Sequence, residues 1–226
     1  MKKIILLVLL LSICAATNVI AQLEGKRFLS GGIGADFYNT NPDLDEATNG
    51  YNGSVNIGIG QFKTQTRAVG WNLTGYLGGG KSLRYINGQS EPKSGLNQYA
   101  IGVGRFWQFY KHFNEKIGIY VGPNVNVSYN YKKELLTDQN DTNEQKTRAT
   151  TLSLGVGAGV YYRLSERWWL DASLGFATPF SVGYTRTSND YMVSGSTSKV
   201  SSFSYNLSPS FNFPSVGLGL RYFLAD

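Results

Sequence analysis

The chain has 226 residues, is 42% hydrophobic and 16% charged, and carries a formal net charge of +6 with one cysteine and one histidine. The basic excess is spread along the chain with no clustered Lys/Arg face, which argues against a nucleic-acid binder; the cysteine and histidine counts exclude thiolate and imidazole metal centres. After residue 16 no apolar run approaches the ~20 residues of a membrane-crossing helix, yet a mean hydropathy of −0.21 suits a barrel, in which only alternate residues face lipid.

Residues 1–21 read as a cleavable signal peptide: Met1-Lys2-Lys3 is a positive start, residues 4–16 are apolar except for Ser12, and Val19-Ile20-Ala21 offers a cleavage site before Gln22. A lipidated Cys14 would need a small residue before it, and Ile13 stands there. Cys14 is therefore expected to leave with the signal, so the mature chain would hold no disulfide. Residues 22–226 then form one β domain.

The strands follow from a period of two. The first, residues 27–38, sets Leu29, Gly31, Ile33, Ala35 and Phe37 outward and Ser30, Gly32, Gly34 and Asp36 inward. The second, residues 51–62, places Val55, Ile57 and Ile59 outward, and the third puts Val69, Trp71, Leu73 and Leu77 against Gly70, Asn72, Thr74 and Tyr76. The fourth, residues 96–110, turns Tyr99, Ile101, Val103, Trp107 and Phe109 toward lipid. In the fifth, residues 117–131, Ile119, Val121, Val125 and Val127 alternate with Tyr120, Gly122, Asn124 and Asn126. The sixth carries Leu152, Leu154, Val156 and Val160 outward, and the seventh sets Trp168, Leu170 and Ala172 opposite Trp169, Asp171 and Ser173. The eighth lies within residues 201–223; its outward parity changes from odd (Phe203, Tyr205) to even (Leu218, Leu220), so either a bulge stands near Pro214-Ser215 or the first half projects beyond the membrane.

Connections alternate in length. Residues 39–50, 81–95, 132–149 and 185–199 are long and polar and read as loops, whereas residues 63–67, 111–115 and 165–167 are short turns. The pattern describes an all-β fold, an eight-stranded antiparallel up-and-down transmembrane β-barrel of a Gram-negative outer membrane. Short turns belong in the periplasm and long loops outside, so both mature termini are expected to be periplasmic. The aromatics fit two girdles, with Trp71, Trp107, Phe109, Trp168 and Tyr222 at the turn end and Phe37, Tyr51, Tyr99, Tyr129, Tyr131 and Tyr184 at the loop end.

The signal, the four-loop rhythm and the closing pattern Ser215-x-Gly217-x-x-Leu220-x-Tyr222 resemble the small outer-membrane β-barrel, porin-like family, similar to OmpX and the OmpA membrane domain. The resemblance covers essentially the whole mature chain. It implies that Ser215, Gly217, Leu220 and Tyr222 form the assembly signal read by barrel-assembly machinery, although Phe223-Leu224-Ala225-Asp226 follow where many relatives end on the aromatic.

Gly-x-Gly pairs such as Gly58/Gly60 and Gly155/Gly157/Gly159 sit inside strands on the inward parity, where they make room for rings such as Tyr76 and Tyr120 rather than cradling phosphate. His112 falls in a turn, on the wrong side for surface chemistry and with no second general base beside it, so a non-enzymatic protein is expected. Asp43-Leu44-Asp45-Glu46 lacks the spacing of a calcium loop. No cofactor and no metal are expected. Arg163, Asp171 and Arg221 share the inward parity near the turn end, and because charges in a dry lumen need pairing, both arginines are expected close to Asp171 as a salt-bridged plug; an ion-selective constriction is the competing reading. Arg105, on the outward parity, either snorkels near Trp107 or is turned inward by a bulge. Lys132, Lys133, Lys146 and Arg148 of the third loop are solvated, or contact lipopolysaccharide phosphates or a surface partner. The expected partners are outer-membrane lipids and lipopolysaccharide, the assembly machinery and a possible surface partner of a monomer. The leading role is a barrel presenting four loops for envelope integrity, adhesion or partner binding; a small pore, a secretion-apparatus accessory and a lipid-modifying enzyme are the alternatives.

Overall fold

The computed structural model describes residues 23–40, 48–86, 89–138, 141–191, 195–207 and 216–225. The expected signal with Cys14, the acidic stretch Asp43-Leu44-Asp45-Glu46 and the candidate bulge at Pro214-Ser215 lie outside the described residues. Among the described residues the strands are β1 (Arg27–Thr40), β2 (Thr48–Thr64), β3 (Arg67–Ile86), β4 (Gln89–His112), β5 (Ile117–Asp138), β6 (Asp141–Arg163), β7 (Trp168–Asp190), β8 (Thr197–Leu207) and β9 (Val216–Phe223).

Each strand from β1 to β7 pairs antiparallel with the next. The ring closes through β9, which pairs with β7 from Trp168↔Tyr222 to Leu174↔Val216 and with β1 from Phe28↔Phe223 to Gly31↔Leu220. β8 pairs with the far part of β7, from Phe180↔Leu207 to Asp190↔Thr197. β8 and β9 thus occupy one position in the ring, and the barrel is eight-stranded.

The alternation sorts apolar residues outward and leaves them uncovered: Ile33 is 90% exposed and Phe37 82%, and Ile57, Trp71, Leu73, Ile101 and Val103 are exposed around the ring. A continuous apolar exterior of this kind is unstable in water and is satisfied by lipid, with backbone polar groups paired around a closed ladder. The buried residues are inside, and they are mostly rings: Phe28, Phe62, Tyr110, Tyr120, Tyr161, Trp169 and Phe223. Glycine on the facing strands admits them. A Cβ at Gly60 would lie 2.9 Å from Phe28 Cε1, and one at Gly159 would lie 2.5 Å from Tyr120 Cζ.

Two prolines interrupt the ladder where a missing N–H is tolerated. The β4–β5 pairing skips from Phe106↔Asn124 to Phe109↔Val121 around Pro123. Near Pro179, the β6–β7 register shifts twice, between Leu154 and Gly157, so that Trp168 and Tyr184 end on the same exterior face.

The expected long loops require a correction. Residues 81–95, 132–149 and 185–199 are largely paired β-ribbon: β3 and β4 pair up to Ile86↔Gln89, β5 and β6 up to Asp138↔Asp141, and β7 and β8 up to Asp190↔Thr197. The 24 residues of β4 far exceed the ~9–11 that cross a bilayer. Polarity marks these segments as outside lipid, but it does not stop Thr, Tyr, Val and alternating charges from pairing across a hairpin.

Val121 is 48% exposed on the middle of the lipid face. Val121→Arg should cost roughly 2–4 kcal/mol and reduce the fraction that migrates as compact barrel on an unheated gel, whereas Val121→Leu should leave that fraction unchanged.

Candidate functional site

The lumen is filled at the turn end. Phe62 and Tyr110 lie 4.9 Å apart between ring centres, Tyr161 stacks on Trp169 at 4.3 Å, and Trp169 meets Phe223 at 4.7 Å. Such pairs contribute about 0.5–1.5 kcal/mol each beyond the area they bury. The segment before β1 covers them from below: Gly25 N donates to Phe62 O at 2.9 Å, Leu23 N donates to Gln65 Oε1 at 2.9 Å, and the Leu23 side chain is buried.

Arg221 stands in the middle of these rings and is 2% exposed. Its Nε donates to Asp171 Oδ2 at 3.1 Å, another guanidinium nitrogen donates to the Tyr110 hydroxyl, and that hydroxyl donates to Gln108 Oε1 at 2.6 Å. Its Cζ lies 4.4 Å from the Phe28 ring centre, 5.5 Å from Tyr110, and 5.7 Å from both Tyr120 and Trp169. Removing a guanidinium from water costs several kcal/mol; one carboxylate, one hydroxyl and the faces of the surrounding rings offset it here. Asp171 Oδ1 and Trp169 Nε1 have no hydrogen-bond partner among the described residues, so the carboxylate is held through Oδ2.

The structure brings Arg221 and Asp171 together but not Arg163, and the expected three-residue cluster is corrected accordingly. Arg163 ends β6 opposite Trp169, and its Nε turns to Ser165 O at 3.3 Å at the barrel rim. One buried carboxylate does not offset two cations, and a long side chain at a strand end reaches water at little cost. His112 is not a free turn histidine either. It ends β4, with Nδ1 against the Tyr161 hydroxyl and Nε2 2.9 Å from Gln65 O.

Of the expected assembly signal, Ser215 lies outside the described residues. Gly217 pairs with Ser173, Leu220 with Leu170 and Gly31, and Tyr222 with Trp168 and Leu29. Leu220 and Tyr222 face outward, and Tyr222 packs on Trp168 at 4.8 Å. The same strand's inward residues are Gly217, Gly219, Arg221 and Phe223, so the residue after Tyr222 belongs to the lumen packing. Sequence reasoning missed Phe28, Phe62, Phe106, Tyr110, Tyr161 and Phe223 as lumen rings. The available signal was their common inward parity confined to the turn ends of the strands.

Above the rings the lumen is lined by amides. Asn72 Nδ2 donates to Asn126 Oδ1 at 3.3 Å, Asn126 Nδ2 to Asn124 Oδ1 at 2.7 Å, and the Tyr76 hydroxyl to Asn52 Oδ1 at 2.8 Å. On the exterior, Arg105 stays outward with its guanidinium 5.3 Å from Trp71 and 5.5 Å from Trp107, which resolves its facing. Beyond the barrel wall, Glu144 accepts Lys93 and Lys133 at 2.8 Å each and Lys146 at 3.1 Å, and Lys146 also reaches Asp190 at 2.8 Å. Lys132 pairs with Glu134. The charges expected to be free in the third loop are thus mostly engaged, and Glu144 ties the β3–β4, β5–β6 and β7–β8 ribbons together. Burial pushes the Glu144 carboxyl up, but hydrogen bonds from Lys133, Lys93 and Lys146 outweigh it and lower it to about 2.

Asp171→Ala should be strongly destabilising, by about 3–5 kcal/mol, because it leaves a buried guanidinium without its carboxylate; urea unfolding of the refolded barrel measures it. Tyr110→Phe should cost less, about 1–3 kcal/mol, for one lost acceptor. For the ribbon network, the folded Glu144 carboxyl lies below its ordinary 4.5. Its contribution is therefore complete above that value and is lost as pH falls toward about 2. Spin labels at Ser94 and Leu136 should keep a narrow distance distribution at neutral pH that broadens through this window, and Glu144→Gln should broaden it at neutral pH.

A family model for the outer membrane protein beta-barrel domain matches residues 5–181. No curated protein matches the sequence. Among solved structures, the chain is similar to the outer membrane protein OprG from Pseudomonas aeruginosa, at 13% identity over 92% of this chain and 100% of that one with a TM-score of 0.49. It is also similar to Neisserial surface protein A, at 14% identity over 88% and 97% with a TM-score of 0.39. A third, a major outer membrane protein from Thermus thermophilus, is 13% identical over 88% and 99% with a TM-score of 0.44. With more than half its length matched by the family model, this eight-stranded barrel belongs to the outer membrane protein beta-barrel domain family.

Proposed function

We propose that the protein is a sealed, non-enzymatic outer-membrane scaffold that holds β-ribbons at the cell surface for contact with the outer leaflet and with a surface partner. The observation that carries this reading is the filled lumen: Arg221, Asp171 and their rings occupy the turn end, and Leu23 packs beneath them. A barrel of eight strands is only wide enough for side chains to fill. Short turns at one end and long ribbons at the other support an orientation with the turns in the periplasm and the ribbons outside. His112 is engaged by Tyr161 and Gln65, which supports a non-catalytic reading. The paired, cross-linked ribbons suit a rigid recognition surface, and Gly217, Leu220 and Tyr222 on the closing strand suit handling by assembly machinery.

Planar-bilayer recording of the purified protein tests the seal. The wild type should show no steady conductance. A stable channel whose ion selectivity shifts toward anions in Asp171→Asn would overturn the reading in favour of a pore.

A further inference from the structure

The exterior face of β5 to β8 is a set of cross-strand rungs whose chemistry changes in order with distance from the turn end. Tyr129, Thr150, Tyr184 and Phe203 form one rung. The next places Arg148 directly opposite Arg186, flanked by Tyr131 and Ser201. The third contains Lys133, Lys146, Ser188 and Lys199. Tyr99 stacks on Tyr131 at 5.1 Å beside the arginine rung, so an aromatic belt leads without interruption into cations.

The height of the arginine rung follows from strand geometry. From Ile119 to Tyr129 the lipid face of β5 runs ten residues, or ~33 Å along the strand and ~25 Å across a bilayer at the usual tilt. That matches the apolar band of an outer-membrane barrel and puts the tyrosine rung at its edge. Arg148 and Arg186 lie one rung farther, ~5 Å higher, at the level of lipid headgroups.

The charges around them are sorted. Glu144 and Asp190, the carboxylates of the neighbouring ribbon surface, are taken up by Lys93, Lys133 and Lys146. Arg148 and Arg186 are exposed, face each other across the β6–β7 ladder and make no ion pair among the described residues. Like charges directly opposite on a sheet are destabilising, and this pair is left unneutralised although the neighbouring Lys133 and Lys146 are paired with carboxylates. Two guanidinium groups at cross-strand spacing fit a single anion that presents several oxygens and about two charges, which describes a phosphate monoester. A phospholipid phosphodiester offers one charge and fewer free oxygens.

We propose that Arg148 and Arg186 clamp a phosphate monoester on the headgroup of an outer-leaflet glycolipid, with the tyrosine rung below packing against its acyl region. The assignment rests on the orientation given under Proposed function, with the ribbons in the outer leaflet. It is independent of whether the lumen conducts.

Native mass spectrometry of the purified full chain in non-ionic detergent tests it, with bisphosphorylated lipid A, dephosphorylated lipid A and phosphatidylglycerol as probes. Bisphosphorylated lipid A should form a one-to-one adduct, with the other two bound at least about tenfold more weakly. Arg148→Gln and Arg186→Gln should each weaken the adduct by about tenfold, whereas Lys111→Gln, an exposed lysine at the turn end, should not. Thermal unfolding supplies a second readout: without lipid, Arg148→Gln should melt above the wild type because repulsion is relieved, and with bisphosphorylated lipid A the order should reverse. Equal binding of phosphatidylglycerol or of dephosphorylated lipid A, an adduct unchanged in the arginine variants, or the absence of that reversal would overturn the site. A conducting channel would overturn the sealed scaffold and leave the clamp standing; a failed adduct in a non-conducting barrel would remove the clamp alone.

Discussion

A guanidinium enclosed by a membrane barrel is tolerated only where its surroundings replace water, and the turn end of this lumen is organised around that requirement. Arg221 receives a carboxylate from β7, a hydroxyl from β4 and ring faces from β1, β4, β5 and β7. The exchange is close to balanced, since the several kcal/mol lost on desolvation are offset by one charge-assisted bond and cation–π contacts of up to about 2 kcal/mol each. The consequence is specificity more than stability. Rings from several strands must stand at fixed heights to meet one charge, and glycines such as Gly60 and Gly159 stand opposite them because a Cβ there would collide with the rings.

The lipid face was legible because lipid imposes one rule on every strand. Ile119, Val121 and Val127 alternate with polar or small neighbours, and the structure keeps that parity through the proline interruptions. The charged lumen residues were legible only by parity, which gives the side of the wall and not the height. Arg163 and Arg221 look equivalent in sequence, yet Arg163 is at a strand terminus next to water and Arg221 is enclosed. The lumen rings were hidden by the expectation that an inward face is polar. Phe28 and Phe62 satisfy the inward parity without satisfying that expectation, because a narrow lumen can be dry at one end and wet at the other. The ribbons were hidden for a related reason: beyond lipid, polarity no longer distinguishes loop from strand, and pairing is decided by cross-strand partners such as Lys133 and Lys146 with Glu144.

Outside the apolar band there is no oil to hold the ribbons and, among the described residues, no large apolar core between them. Electrostatics takes over, but selectively. Glu144 is shielded enough for three lysines from two hairpins to act on it together, which lifts the network above the negligible value of isolated surface pairs. The more weakly hydrated guanidinium groups of Arg148 and Arg186 stand outside that network among the described residues, at the edge of the aromatic belt.

Arg221 is carried by β9, the strand that completes the ring against β1. Without β9 in place, Asp171 would lie at the free edge of β7, its carboxylate lacking the Arg221 guanidinium that it holds in the closed ring. The same strand that joins the edges of β1 and β7 thus supplies the counter-ion. The contacts that close the wall and the contact that corks its interior are therefore made by the same strand, so this design has no closed cylinder with an unplugged base.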